Sequence, residues 1–156
     1  MLLVFDGMGG HSAGDIASKI VVTEVYSELK FHSDLFFDHE QQLPGLMVGA
    51  IRNANNCIRE AMMENPDARG MGATVVATVL AGSRLFWTSV GDSPLYHYRA
   101  GAMRQINEDH SMAPQIDAMV ATGALNAEDA KTHPERNCLT SAIAGGKIAR
   151  MDNRGQ

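Results

Sequence analysis

Two acidic residues beside glycines, Asp6 and Asp92, are the groups in this sequence best suited to chemistry. Asp6 follows the apolar run Leu2-Leu3-Val4-Phe5 and opens the stretch Asp6-Gly7-Met8-Gly9-Gly10-His11. Asp92 lies in Gly91-Asp92-Ser93-Pro94, again directly after an apolar run. A carboxylate is a hard anionic oxygen donor, and neighbouring glycines let the backbone bring a carbonyl oxygen to the same point. Strand ends on a rigid sheet can converge such carboxylates on one pole of a fold, where magnesium or manganese would find oxygen ligands. Water on such a cation has a lowered pKa and is a nucleophile at neutral pH, which suits hydrolysis of a phosphate ester. The same residues also read as a tight turn between strand and helix, because Asp and Gly are the common turn formers.

The elements that would position these groups follow from the periodicity. Ser12-Ala13-Gly14-Asp15 has the form of a capping box and predicts a helix start. Ala13, Ile16, Ala17 and Ile20 make its first apolar face, and Val22, Val25, Tyr26 and Leu29 a second, rotated one. Residues 30–44 break the pattern and read as a loop anchored by Phe31, Leu35, Phe36 and Phe37. A second helix is predicted from Gly45 to Glu64, with Met47, Ala50, Ile51, Ala54, Ile58, Ala61 and Met62 in helical register, ending at Asn65-Pro66-Asp67. The period then changes to two. Strands are predicted over Thr74–Ala81, Leu85–Val90, Leu95–Arg99 and Met103–Ile106, joined by short turns as in an antiparallel meander. The first two strands are apolar on both faces, so the sheet should be covered on both sides, by the helices on one and a second sheet on the other. Short helices follow at Pro114–Thr122 and Ala127–Lys131; the polar run from Arg150 to Gln156 does not look like a closing strand.

At 156 residues with ordinary apolar content, the chain can bury a core of its own as a single domain. Its net charge of −5 argues against a general nucleic-acid binder, which carries a basic stripe. Cys57 and Cys138 are far apart and lack zinc-ligand spacing, which fits a reducing cytoplasm. Asp6 interrupts the first apolar tetrad before a signal-peptide core could form, and no apolar run reaches bilayer length. A dinucleotide fingerprint fails for want of a third glycine after Gly7 and Gly9, and Gly146-Lys147 is followed by Ile148, which excludes a Walker A loop.

The ordered motifs resemble the PPM/PP2C family of metal-dependent protein serine/threonine phosphatases in its bacterial form. Val4 to His11, V-F-D-G-M-G-G-H, is similar to the family's metal signature. Gly70-Met71-Gly72-Ala73-Thr74 resembles its G-M-G-T-T strand entry, Ser89-Val90-Gly91-Asp92-Ser93 its V-G-D-S hairpin, and Asn107-Glu108-Asp109-His110-Ser111 its D-H-S element. Gly123, His133-Pro134 and Asn137 to Ala144 are similar to the bacterial flap, here about residues 111–136, and the strand after it. The resemblance implies a mixed α/β fold: a sandwich of antiparallel sheets flanked by helices, seen incompletely over residues 1–156. It implies that Asp6 bridges two Mn²⁺ or Mg²⁺ ions, that Gly7 gives one of them its carbonyl, and that Asp92 goes with a third, weaker ion. Phosphorylated proteins would be the substrates, and a bacterial Ser/Thr kinase system the natural partner. The resemblance assigns His11 no general-acid role, since eukaryotic members place that histidine directly after D-G, where Met8 stands here. His110 reads as a structural histidine tying the hairpin to the flap.

The departures are as specific as the matches. Family members carry strands with a phosphate-binding Arg and an acidic pair before the D-G strand, and further D-G and D-N motifs after the flap. Asp152-Asn153 spells D-N but comes too soon after the flap to be that motif. Pro94 stands where many members have Arg. The sequence therefore resembles the middle of a phosphatase domain, short of anionic ligands and with low expected magnesium affinity. A truncated, non-catalytic member that binds phosphoproteins or regulates is the alternative expectation.

Overall fold

Alternating exposure along the first strand sets the architecture: Leu3 and Phe5 turn inward, while Leu2, Val4 and Asp6 turn outward. The computed structural model describes residues 1–9, 11–34 and 39–155. In order they form β1 (Leu2–Met8), α1 (His11–Phe31), α2 (Leu43–Glu64), β2 (Gly72–Ala81), β3 (Arg84–Val90), β4 (Tyr96–Arg99), β5 (Ala102–Gln105), α3 (Ala113–Ala121), α4 (Ala127–Lys131) and β6 (Asp152–Gly155). Single 3₁₀ turns at Glu40–Gln42 and Pro66–Ala68 precede and follow α2. The main sheet runs β1-β2-β3-β6, antiparallel throughout, and β4–β5 is a separate hairpin.

Both long helices lie on one face of this sheet, and the core is where they meet it. Ala13, Ala17, Val21, Val25 and Leu29 form one stripe of α1 at four-residue spacing. Leu43, Met47, Ala50, Ile51, Ala54 and Ile58 form the facing stripe of α2. Leu3, Phe5, Val75, Ala77, Val79, Phe86 and Val90 complete the cluster from the strands. The two predicted apolar faces of α1 are each half buried: Ala13 and Ala17 of the first and Val25 and Leu29 of the second face the core, while Ile16, Val22 and Tyr26 are exposed, since one stripe suffices for a helix covered on one side. That helix begins at His11, ahead of the predicted start at Ser12, whose side chain lies outside the described residues. Among the described residues no helix is long and apolar enough to cross a membrane.

Other expectations change for identifiable reasons. Asp6 and Gly7 do not form a turn: β1 continues through them to Met8, because β2 begins at Gly72 and pairs that far. The polar tail does form a strand. Thr88 Oγ1 donates to Asn153 Oδ1 at 2.8 Å, and Asn153 Nδ2 donates to Pro44 O at 3.2 Å, so side-chain hydrogen bonds fasten β6 where apolar burial does not. Phe31 is 82% exposed and anchors nothing; Leu35, Phe36 and Phe37 lie outside the described residues.

The face opposite the helices is only half covered. Over β3, Trp87 and Ser89 are fully buried beneath the segment that carries Asn107, whose Nδ2 donates to Ser89 Oγ. Over β1 and β2, Leu2, Val4 and Leu80 remain exposed, as do Tyr98 and Met103 of the hairpin. The expected covering second sheet is thus present only as β4–β5. Contiguous apolar surface of this kind marks a contact face.

Candidate metal centre

The sheet register places Asp6 in a row with the loop that bears Asp92. Asp6 pairs with Thr74, and Val75 pairs with Val90, so Gly91 stands beside Thr74 on its other side. Neighbouring strands are about 4.8 Å apart, which puts the backbones of Asp6 and Gly91 roughly 10 Å from each other. Between them Thr74 Oγ1 and Ser93 Oγ share a 2.6 Å hydrogen bond, which pins the turn after Asp92 to β2. Asp6, Ser93, Pro94 and Leu95 line one cavity of about 430 Å³ on this face, floored by Val76 and Thr78. Asp6 is exposed and Asp92 half-buried, and among the described residues neither carboxylate is in a hydrogen bond or ion pair.

Gly7 sits at the same edge but faces differently. Ala73 exchanges both of its backbone hydrogen bonds with Ile143, each 2.9 Å, so its pairing with Gly7 is of the wide, non-bonded kind. The Gly7 carbonyl therefore leaves the ladder and points off the free edge of β1, towards Gly14 of α1. An exposed carboxylate followed by an edge carbonyl outside the ladder fits one side of a hard-cation site. The fit is partial: among the described residues no three His, Cys, Asp or Glu side chains come together as a metal cluster.

The loop opposite is organised by Asn107, which sequence pattern did not single out for that role, and by His110, which it read as a structural histidine. Asn107, 7% exposed, accepts from Leu95 N at 2.7 Å and donates to Ser93 O at 2.9 Å. It thereby holds both sides of Ser93-Pro94-Leu95. His110 N donates to Gly91 O at 3.1 Å, and His110 Nδ1 accepts from Gly91 N at 3.2 Å. His110 O in turn accepts from both Thr140 N and Thr140 Oγ1. The histidine thus joins the Gly91 turn to Thr140 in the strand-like segment after the flap, not to the expected flap itself. Asp109, beside His110 in the chain, accepts from Ser111 N through Oδ1 at 2.8 Å.

Asp152 Oδ2 accepts from Glu108 N at 3.1 Å, and Arg154 pairs with Asp152, so that carboxylate serves β6 and the Asn107 segment. Residues 111–136 fold as α3 and α4, and Arg136 clamps Asp117 with two bonds of 2.7 and 3.1 Å. The side chain of His11 lies outside the described residues.

Burial, aided by the nearby Arg150 guanidinium, holds the His110 imidazole below the usual histidine range. The unfolded chain takes up a proton near pH ~6.5 that the folded chain refuses. Stability from this group is therefore complete above that pH and declines as pH falls below it. Urea midpoints should drop between pH 7 and pH 5.5, and less so in His110→Asn, whose amide oxygen keeps an acceptor for Gly91 without titrating. Equal slopes in the two proteins would remove His110 as the cause.

Comparison with known proteins decides the family. The sequence profile described as Protein phosphatase 2C matches residues 1–145. The chain belongs to the protein phosphatase 2C family. It is 35% identical over 149 residues to the serine/threonine phosphatase stp of Listeria innocua, covering 95% of this chain and 57% of that protein. Its fold matches the crystal structure of the Mycobacterium tuberculosis serine/threonine phosphatase PstP/Ppp with a TM-score of 0.79 at 30% identity, over 99% of this chain and 62% of that one. A structure of the PstP catalytic domain in complex with two manganese ions matches with a TM-score of 0.72 at 29% identity, over 97% of this chain and 61% of that one. The chain thus spans about three-fifths of these relatives, which are serine/threonine phosphatases of bacteria. The mixed α/β fold expected of a protein phosphatase 2C member is the fold observed, and the family is metal-dependent.

Proposed function

We propose that this chain carries the larger part of a protein serine/threonine phosphatase that hydrolyses phosphoserine and phosphothreonine in proteins with Mn²⁺ or Mg²⁺. The observation that carries the reading is the pairing of an Asp6 carboxylate, without a partner among the described residues, with a Gly7 carbonyl outside the ladder, beside a cavity shared with the Asp92 turn. Asp6 and Gly7 would hold the metal, and Asp92 would serve a further ion across the row. Bound there, the metal supplies a water of lowered pKa as nucleophile. The protein's own part is positional. Asp6 provides fixed negative charge on a rigid strand, and Thr74 and Asn107 keep the Ser93 turn in place. Phosphoproteins of a bacterial Ser/Thr kinase system are the proposed substrates, and two free thiols fit a cytoplasmic setting.

Para-nitrophenyl phosphate hydrolysis with manganese tests this. Asp6→Asn should lower the rate at least about 100-fold, since even changes behind a metal ligand cost about 10- to 100-fold. Equal rates would remove Asp6 from catalysis. The absence of a third clustered carboxylate among the described residues favours a second reading, a phosphoprotein-binding member without activity. Phosphopeptide binding with no metal-dependent turnover would select it.

A further inference from the structure

A second polar pocket, of about 420 Å³, lies on the helix side of the molecule, away from the Asp6 face. Its walls come from α2, through Arg52, Asn56 and Arg59, and from the segment after the flap, through Lys147, Ile148 and Met151. The two walls are locked together. Asn55, 7% exposed, accepts from Gly145 N at 2.9 Å and donates to Gly146 O at 2.8 Å. Gly145 lies directly on the helix, where an added Cβ would stand 2.9 Å from Arg59 Cα. Lys147 is thereby held across from the two arginines.

Three cations line this pocket and no carboxylate does, in a chain of net charge −5. Among the described residues Arg52, Arg59 and Lys147 enter no ion pair, which is also true of Lys19, Lys30, Arg69, Arg99 and Arg104; what sets the three apart is that they line one pocket. Arg52 and Arg59 are two helical turns apart, about 10 Å, a span wider than one phosphate group covers. An extended peptide presents same-face side chains about every 7 Å, so two acidic side chains fall within that span. Ile148 and Met151 offer an apolar wall for the residue between them. No aromatic ring lines the pocket for base stacking, which sets a nucleic-acid strand aside.

We infer that this pocket is a docking site for an extended acidic peptide segment, separate from the Asp6 cavity. The inference does not depend on catalysis, because binding is read directly. The probe is a fluorescein-labelled peptide of roughly eight residues alternating aspartate and alanine, measured by anisotropy with the whole chain. Wild type should bind it, and an asparagine-for-aspartate peptide should not bind. The double variant Arg52→Glu/Arg59→Glu should weaken binding at least about tenfold, and raising salt from ~50 to ~300 mM should weaken it in wild type. Arg99→Glu/Arg104→Glu on the exposed hairpin changes net charge equally and should leave binding within about threefold. Circular dichroism checks that both variants fold. Equal losses in the two double variants, no binding by wild type, or equal affinity for an oligothymidylate of matching length would overturn the assignment.

Discussion

Gly7→Ala should lower the melting temperature by roughly 10 °C, an overpacking penalty of about 3 kcal/mol in a domain of this size. A Cβ on Gly7 would stand 2.1 Å from Gly14 O and 2.4 Å from Ser18 Oγ. The first of these is helix backbone and the second is held by its own 3.0 Å bond to Gly14 O, so neither can yield locally. Relief requires α1 to lift from β1, and that contact carries Ala13, Ala17 and Val21 of the core. Gly49, in the middle of α2 with nothing within 4 Å of its missing Cβ, is the control. Gly49→Ala should stabilise by about 0.5–1 kcal/mol through helix propensity alone. Thermal denaturation of both variants decides the matter, and a Gly7→Ala protein that melts like wild type would mean that α1 is not seated as described. The glycine of the D-G pair is therefore required by helix packing whether or not its carbonyl also meets a metal.

Asn107→Ala should be the other severe change. The side chain satisfies Leu95 N, Ser93 O and Ser89 Oγ at once, in a site 7% exposed. Truncation removes a partner from each; only Ser89 is buried while Ser93 and Leu95 are half-buried, and with about 1–3 kcal/mol for a buried orphan a total of about 2–4 kcal/mol is expected. Asn107→Asp keeps the acceptor for Leu95 N and loses the donors, and should fall between the two. Hydrogen exchange at the Leu95 amide reports the local effect. Its protection should be lost in Asn107→Ala beyond what the global change in stability explains. Unchanged protection would show that the turn bearing Asp92 and Ser93 is held by other groups, such as the Thr74–Ser93 bond.

How much was legible depended on whether a feature is local. α2, α3, α4 and the paired strands β2 and β3 follow from period and turn chemistry, and each lies within two residues of its expected bounds. β6 did not, because a polar strand carries no alternating apolar signal. It exists through Asn153, whose partners Thr88 and Pro44 are far away in sequence. α1 was readable as a helix, with Ala13, Ala17, Val25 and Leu29 among its apolar-face residues, but the choice between Val21 and Val22 depends on where β1 lies. The Asp6-Gly7 pair misled in the other direction. Its residue types spell a turn, and pairing with β2 draws it out as strand.

By itself the sequence determined the family, the mixed α/β class and the identity of Asp6, Gly7 and Asp92 as the groups worth testing. Those are properties of residue type and order, which a chain carries before it folds. The tertiary structure alone decided that Asp6 projects onto the half-covered face while the Gly7 carbonyl leaves the ladder at the edge. It alone decided that Asn107 holds the Asp92 turn, that His110 ties that turn to Thr140, and that Arg52, Arg59 and Lys147 share a pocket. Each of these depends on register and on contacts between distant segments, which neither composition nor local periodicity encodes.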